Sequence, residues 1–122
     1  MGTHKSLDIW KQSIDLVERV YKATLEFPDE EKFGLVSQIR KAAISIPSNN
    51  AEGAARQSDK ENIYFLYIAL ASLSELDTQF IIAKKLDICN NQNISNSINT
   101  LRPKIVKYIK YLKTFSKYTI QL

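Results

Sequence analysis

One histidine and one cysteine occur in the 122-residue chain, and that scarcity removes most catalytic chemistry. A Ser-His-Asp triad or a His-pair metal site needs an imidazole in a useful position, and His4 stands near the N-terminus. Cys89, being alone, forms neither an intrachain disulfide nor a Cys-based zinc site. The Asp and Glu residues lack the paired Glu and E-x-x-H arrangement of a di-iron bundle, so no metal and no cofactor are expected. Glu52 invites an acid–base role, yet no histidine, second nearby carboxylate or nucleophile–base pair completes one. Its expected use is an ion pair with Arg56 four residues on, or a cap on exposed backbone donors. Ser45, Ser48 and Asn49 are placed to satisfy backbone groups disturbed by Pro47, with contact to a ligand edge as the alternative. The chain is not expected to be an enzyme.

Phosphate contact is the chemistry that remains. The chain holds 17 Lys+Arg against 13 Asp+Glu, with a formal charge of +4 and a pI near 9.2. Residues 1–87 carry 11 basic and 13 acidic side chains, whereas 88–122 carry six basic and none acidic. The final third therefore holds all of the excess and would attract nucleic acid or an acidic partner, unless it is only a solvated helix face. Arg40, Lys41 and Arg56 around Pro47, with Lys104, Lys107, Lys110, Lys113 and Lys117 near the C-terminus, are the candidate nucleic-acid-binding residues. Phosphate binding needs positive charge and reachable donors, not a unique linear motif. Tyr108, Tyr111 and Tyr118 fall near the edge of the basic sector, where they would stack on bases or seal an interface. No RRM, KH, zinc-finger or helix-turn-helix signature supports sequence-specific base reading.

Positioning these groups falls to helices. A length of 122 residues fits one domain, 1–122, and 44% hydrophobic residues with 3 Gly and 3 Pro disfavour disorder or a turn-dense barrel. The N-terminus lacks a secretory apolar region, and no 18-residue apolar stretch is evident. A cytoplasmic protein with no membrane partner is the expectation.

The first helix is expected from about Leu7 to Glu26, with Leu7, Trp10, Ile14, Val17, Tyr21 and Leu25 on one side and Ile9, Leu16 and Val20 widening the stripe. Phe27-Pro28-Asp29 ends it. The second is expected from Glu30 or Glu31 through about Ala54, bent near Pro47, with Leu35, Ile39, Ala42, Ala43 and Ile46 inward. Gly53 opens the joint to the third, and Ser58 with Glu61 forms an S-x-x-E capping box. The third helix then runs to about Lys85 and is apolar on more than one face, as a central or interface helix would be. The fourth starts between Asn93 and Ser97, with Pro103 either near its start or at a bend. Short connections favour sequential packing, so the expected fold is all-α: an antiparallel up-and-down four-helix bundle.

Three stretches carry a resemblance. They are the FP-x-x-E-x-x-G-L-x-x-Q-I-R pattern at Phe27–Arg40, SIPSN-x-AEG-x-x-R at Ser45–Arg56, and FL-x-IA-x-x-SL-x-EL at Phe65–Leu76. In these the chain resembles the bacterial four-helix bundle proteins encoded within intervening sequences of 23S ribosomal RNA genes, once labelled S23 ribosomal proteins. It is also similar to the accessory variability determinant of diversity-generating retroelements. The resemblance implies an antiparallel four-helix bundle, self-association as a homopentamer, and by way of the retroelement relatives a nucleic-acid partner and a reverse transcriptase. Lys41 stands where a second arginine is common, Asn50 where Ile is usual, and Ala71 where glycine is common. Pro47, Asn49, Glu52, Gly53, Ser58 and Glu61 are expected to be structural. Two functions follow: a noncatalytic oligomer that binds RNA or DNA through a basic surface, or a protein-binding scaffold or adaptor without a nucleic-acid role.

Overall fold

Caps and breakers divide the chain into four helices and one short turn. The computed structural model describes residues 4–121, with side chains through Phe115. The elements are α1 (His4–Thr24), a 3-10 turn (Asp29–Glu31), α2 (Leu35–Ala54), α3 (Asp59–Lys85) and α4 (Gln92–Gln121). Expected boundaries hold at α3, where Ser58 is extended and its Oγ accepts from the Glu61 amide at 3.2 Å. The reciprocal half of the box is altered: the Ser58 hydroxyl donates to Glu61 Oε2 at 3.1 Å. The other end of α3 closes in a Schellman motif, with Asp87 at φ 57°, Asp87 N donating to Lys84 O and Ile88 N to Ala83 O.

The start of α2 differs from expectation, and the open placement of Pro103 is decided. Asp29–Glu31 form a separate 3-10 turn instead of the first turn of α2, because Gly34 at φ −107°, ψ −103° breaks the path. Pro103 lies well inside α4. It is exposed there, so the carbonyl that its missing N–H leaves unpaired one turn earlier, on exposed Asn99, is open to water. Pro47 likewise lies inside α2, and Asn49 Nδ2 donates to Ser45 O at 2.8 Å beside it.

The helices pack in ring order, each against its neighbours in sequence and α1 against α4; among the described residues the backbones of the diagonal pairs, α1 with α3 and α2 with α4, do not come close. Cross-links fix the directions. Arg40 bonds the C-terminal end of α1 while Asn50 bonds Ser6 at its start, so α1 and α2 are antiparallel. Lys104–Asp8 and Arg19–Ser97 do the same for α1 and α4, and Lys113–Tyr67 and Arg102–Asp77 for α3 and α4. One core results, with Ile39, Ile46, Leu66, Leu73, Leu76, Ile98 and Ile105 fully buried. Contrary to the sequence expectation, α3 is long and apolar enough to cross a membrane by length and composition alone. It sits between α2 and α4, with Asn62, Ser72 and Gln79 at buried positions and Ser72 bonded to Ser45 of α2 at 2.8 Å.

The inward side of α1 is a second correction. Its core face is Ile9, Ser13, Leu16, Val20, Ala23 and Thr24. Leu7, Trp10, Ile14, Tyr21 and Leu25 are instead 36–75% exposed. Both sets have helical spacing; α2 and α4 cover the first, and Arg40 of α2 reaches over Tyr21 at the end of the second.

Asn50 gives a stability prediction. It is 1% exposed, its Nδ2 donates to Ser6 O at 3.1 Å, and its Oδ1 has no partner. An unsatisfied buried acceptor costs ~1–3 kcal/mol, more than one neutral hydrogen bond returns. Asn50→Leu keeps the branching of the side chain without its polar atoms and is expected to stabilise by ~1 kcal/mol. A urea titration checks this: the midpoint should rise with an unchanged slope, and a fall would mean that Asn50 is satisfied by a group beyond this chain.

Candidate nucleic-acid interface

The lysines of α4 are arranged by helix geometry. Residues three apart rise ~4.5 Å and rotate ~60° short of a full turn. Lys104, Lys107, Lys110 and Lys113 therefore form a diagonal row across the outer surface of α4. Contacts at both ends confirm the path. Lys104 Nζ meets Asp8 Oδ2 of α1 at 3.0 Å, while Lys113 Nζ donates to the Tyr67 hydroxyl of α3 at 2.7 Å and lies 5.2 Å from its ring centre. Lys107 and Lys110 between them are exposed, and among the described residues neither ammonium has an ion pair or hydrogen bond. Lys117 and Tyr118 lie outside the described side chains.

The basic groups of α2 are placed elsewhere. Arg40 is half-buried: Nε donates to Thr24 Oγ1 at 2.9 Å, Nη2 donates to Tyr21 O at 3.3 Å, and the guanidinium lies 4.3 Å over the Tyr21 ring. It ties down the C-terminal end of α1. Arg56 pairs with Glu52 at 3.1 Å and Glu61 at 3.8 Å and lies 4.8 Å over Phe65, so Glu52 has its expected partner. Lys41 is exposed. The backbones of α2 and α4 do not pack directly together, and Arg56 and Lys113 each reach α3, over Phe65 and Tyr67.

The tyrosines also sort differently from expectation. Tyr108 is 2% exposed and is closed to stacking partners from solvent. It packs on Tyr111 at 6.2 Å and 19°, and Tyr111 meets Phe115 edge-on at 4.9 Å. One face of Tyr111 is covered by Lys5 Nζ, 3.7 Å from its centre. Lys5, Asp8 and Gln12 are the interface residues that the sequence reading missed. They sit on α1, about a hundred residues from α4 in sequence, and no local signal marks them. Gln12 Nε2 donates to both Asp8 oxygens at 3.1 Å. The Lys104 hydrogen bond, then that of Gln12, holds the Asp8 carboxyl below the usual carboxylate range.

The α1–α4 seam is open. Cavities of about 370, 360 and 480 Å³ follow one another along it, from Lys5 and Tyr108, through Gln12, Arg19 and Asn96, to Lys22 and Asn91. Among the described residues no group of three His, Cys, Asp or Glu side chains is placed to hold a metal ion. Burial, and then Glu26, pushes the half-buried Cys89 thiol up, away from the reactive thiolate.

A ring of four antiparallel helices with a lysine row on its last helix defines a helical-bundle protein with a basic outer face. The chain belongs to the 23S rRNA-intervening sequence protein family, whose sequence pattern matches residues 5–119. A crystal structure of a protein with unknown function, from the S23 ribosomal protein family of Bacteroides thetaiotaomicron, superposes with a TM-score of 0.80. The match covers 87% of this chain and 98% of that one at 22% identity, which shows a shared fold. No curated protein gives a match.

Proposed function

We propose that the chain is a noncatalytic, self-associating protein that contacts RNA or DNA through the outer face of α4. The observation that carries this reading is the pair of unpartnered ammonium groups at Lys107 and Lys110, on a segment with no carboxylate side chain after Asp87. Self-association is supported by exposed apolar side chains on two opposite helices: Leu7, Trp10, Ile14 and Tyr21 on α1, and Tyr64, Tyr67, Ile81 and Ile82 on α3. Two unlike faces meeting head to tail make a ring if the rotation closes. The number five rests on the resemblance to pentameric relatives. Repeating a weak basic face around a ring multiplies contacts without requiring a strong site in one subunit.

Neutralising Lys107, Lys110 and Lys113 together as glutamine is expected to weaken binding of a labelled single-stranded oligonucleotide and leave the thermal melt in place. Each lost phosphate contact lowers the salt-dependence slope by ~0.7 on single strands, so a fall of about two is expected. An unchanged affinity and slope would remove α4 from the interface. The adaptor reading predicts instead a defined protein partner that survives nuclease treatment in a pull-down.

A further inference from the structure

We propose that the cavity of about 370 Å³ between the start of α1 and α4 is a phosphodiester-binding cleft for single-stranded nucleic acid, and that Asp8 is its built-in competitor, holding Lys104 until a phosphate displaces it. The inference rests on the reading of α4 as a nucleic-acid-contacting face and adds a cleft and a competing carboxylate to it.

The lining supplies the chemistry. Lys5, Lys104 and Lys107 bring three ammonium groups to one opening, against the single carboxylate of Asp8. Ile9 and Tyr108, both almost fully buried, lie at its floor, so the cleft presents charge and not a stacking surface. Lys5 is held in place by the Tyr111 face at 3.7 Å. The row Lys107–Lys110 leads outward from the cleft across α4, with no carboxylate on that helix, so a linear polyanion entering the cleft continues over unopposed positive charge.

The competitor is weakly held and has an alternative partner. The Lys104–Asp8 pair is about half exposed, at 41% and 52% of the two side chains. Exposed ion pairs contribute only about 0–1 kcal/mol, so a phosphate facing three lysines can replace the carboxylate. Gln12 already donates to both Asp8 oxygens, and Asp8 keeps that partner when Lys104 turns to a phosphate.

The test is a double-mutant cycle on the full chain, read by fluorescence anisotropy with a labelled oligo(dT) at ~0.1 M salt. Asp8→Asn is expected to tighten binding about threefold to fivefold, a factor that corresponds to the weak exposed pair it removes. The same change in a Lys104→Ala background should give less than twofold, and Lys5→Ala should weaken binding. Asp15→Asn makes an equal charge change ~10 Å further along α1 and should give less than half of the Asp8→Asn gain. Equal gains from Asp8→Asn and Asp15→Asn would show a general charge effect and overturn the cleft. No gain from Asp8→Asn, with the Lys107/Lys110/Lys113 variant still weakened, would overturn the cleft and leave the α4 face standing. Failure of the wild-type chain to bind oligo(dT) would sink both. A poly-glutamate peptide that binds as tightly and gains equally from Asp8→Asn would overturn the assignment to phosphodiesters.

Discussion

Replacing Ile14 with lysine is expected to reduce the proposed assembly to single chains of 14.0 kDa. Ile14 is 42% exposed at the centre of the row Leu7, Trp10, Ile14, Val17 and Tyr21, whose intervals of three, four, three and four are those of a coiled-coil seam. Leu7, Trp10 and Ile14 of this row point away from the core, whose α1 face is centred on Ile9, Leu16 and Val20, while Val17 packs at the core's edge and Tyr21 lies under Arg40. Burying an exposed isoleucine contributes ~1.5–3 kcal/mol, and an unpaired ammonium in its place costs more than that gain. Every contact around a ring would carry the change. Folding of the single chain should alter little, within ~0.5 kcal/mol, since Ile14 is outside the core. Light scattering on the wild type and the variant reads the result. A wild-type mass equal to one chain, or a variant mass equal to that of the assembled wild type, would rule out this seam as the self-association surface.

The second large effect lies at the α2–α3 joint. Gly53 is buried, and a Cβ added there would stand 2.7 Å from Asn62 Oδ1, 3.0 Å from Phe65 Cβ and 3.1 Å from Asn62 O. The side-chain oxygen can move, but the Asn62 carbonyl and Phe65 Cβ belong to the backbone path of α3. Accommodation therefore means shifting one helix against the other. Overpacking of this kind costs ~1–3 kcal/mol, offset by up to ~1 kcal/mol of helix propensity when glycine becomes alanine. Gly53→Ala should lose ~1–2 kcal/mol net by urea titration. A gain in stability would mean that the two helices are free to separate at this joint. Asn62 Oδ1 has no hydrogen-bond partner among the described residues and stands where the added Cβ would point.

Much of the fold was legible because its signals are local. The S-x-x-E box is read within four residues and marks the start of α3 where Ser58 caps it. Leu66, Leu73 and Leu76 of α3 and Ile98, Leu101 and Ile105 of α4 recur at intervals of three, four or seven, and all are buried. Glu52 and Arg56 meet because four residues make one helical turn. The site was legible only in part. Lysines at 104, 107, 110 and 113 could be placed on one helix from spacing, yet Lys104 turns to α1 and Lys113 to α3. Tyr108 lies inside with the apolar face of α4, as its helical spacing from Leu101 and Ile105 expects, and Tyr111 and α1 cover it.

From composition and periodicity alone came the helical class, the four segments, the lack of a metal or triad chemistry in the residue set, and the concentration of positive charge near the C-terminus. These are properties of one segment at a time, and the 3.6-residue repeat expresses them without reference to any neighbour. Tertiary structure decided which of two apolar stripes on α1 faces inward, that Arg40 and Arg56 are engaged by α1 and α3, and that Asp8 sits against Lys104. A helical wheel gives angles within one helix. Only the packing of α1 between α2 and α4 sets which angle is covered, and only the ring closure of first helix on last brings residues 96 positions apart to within 3.0 Å.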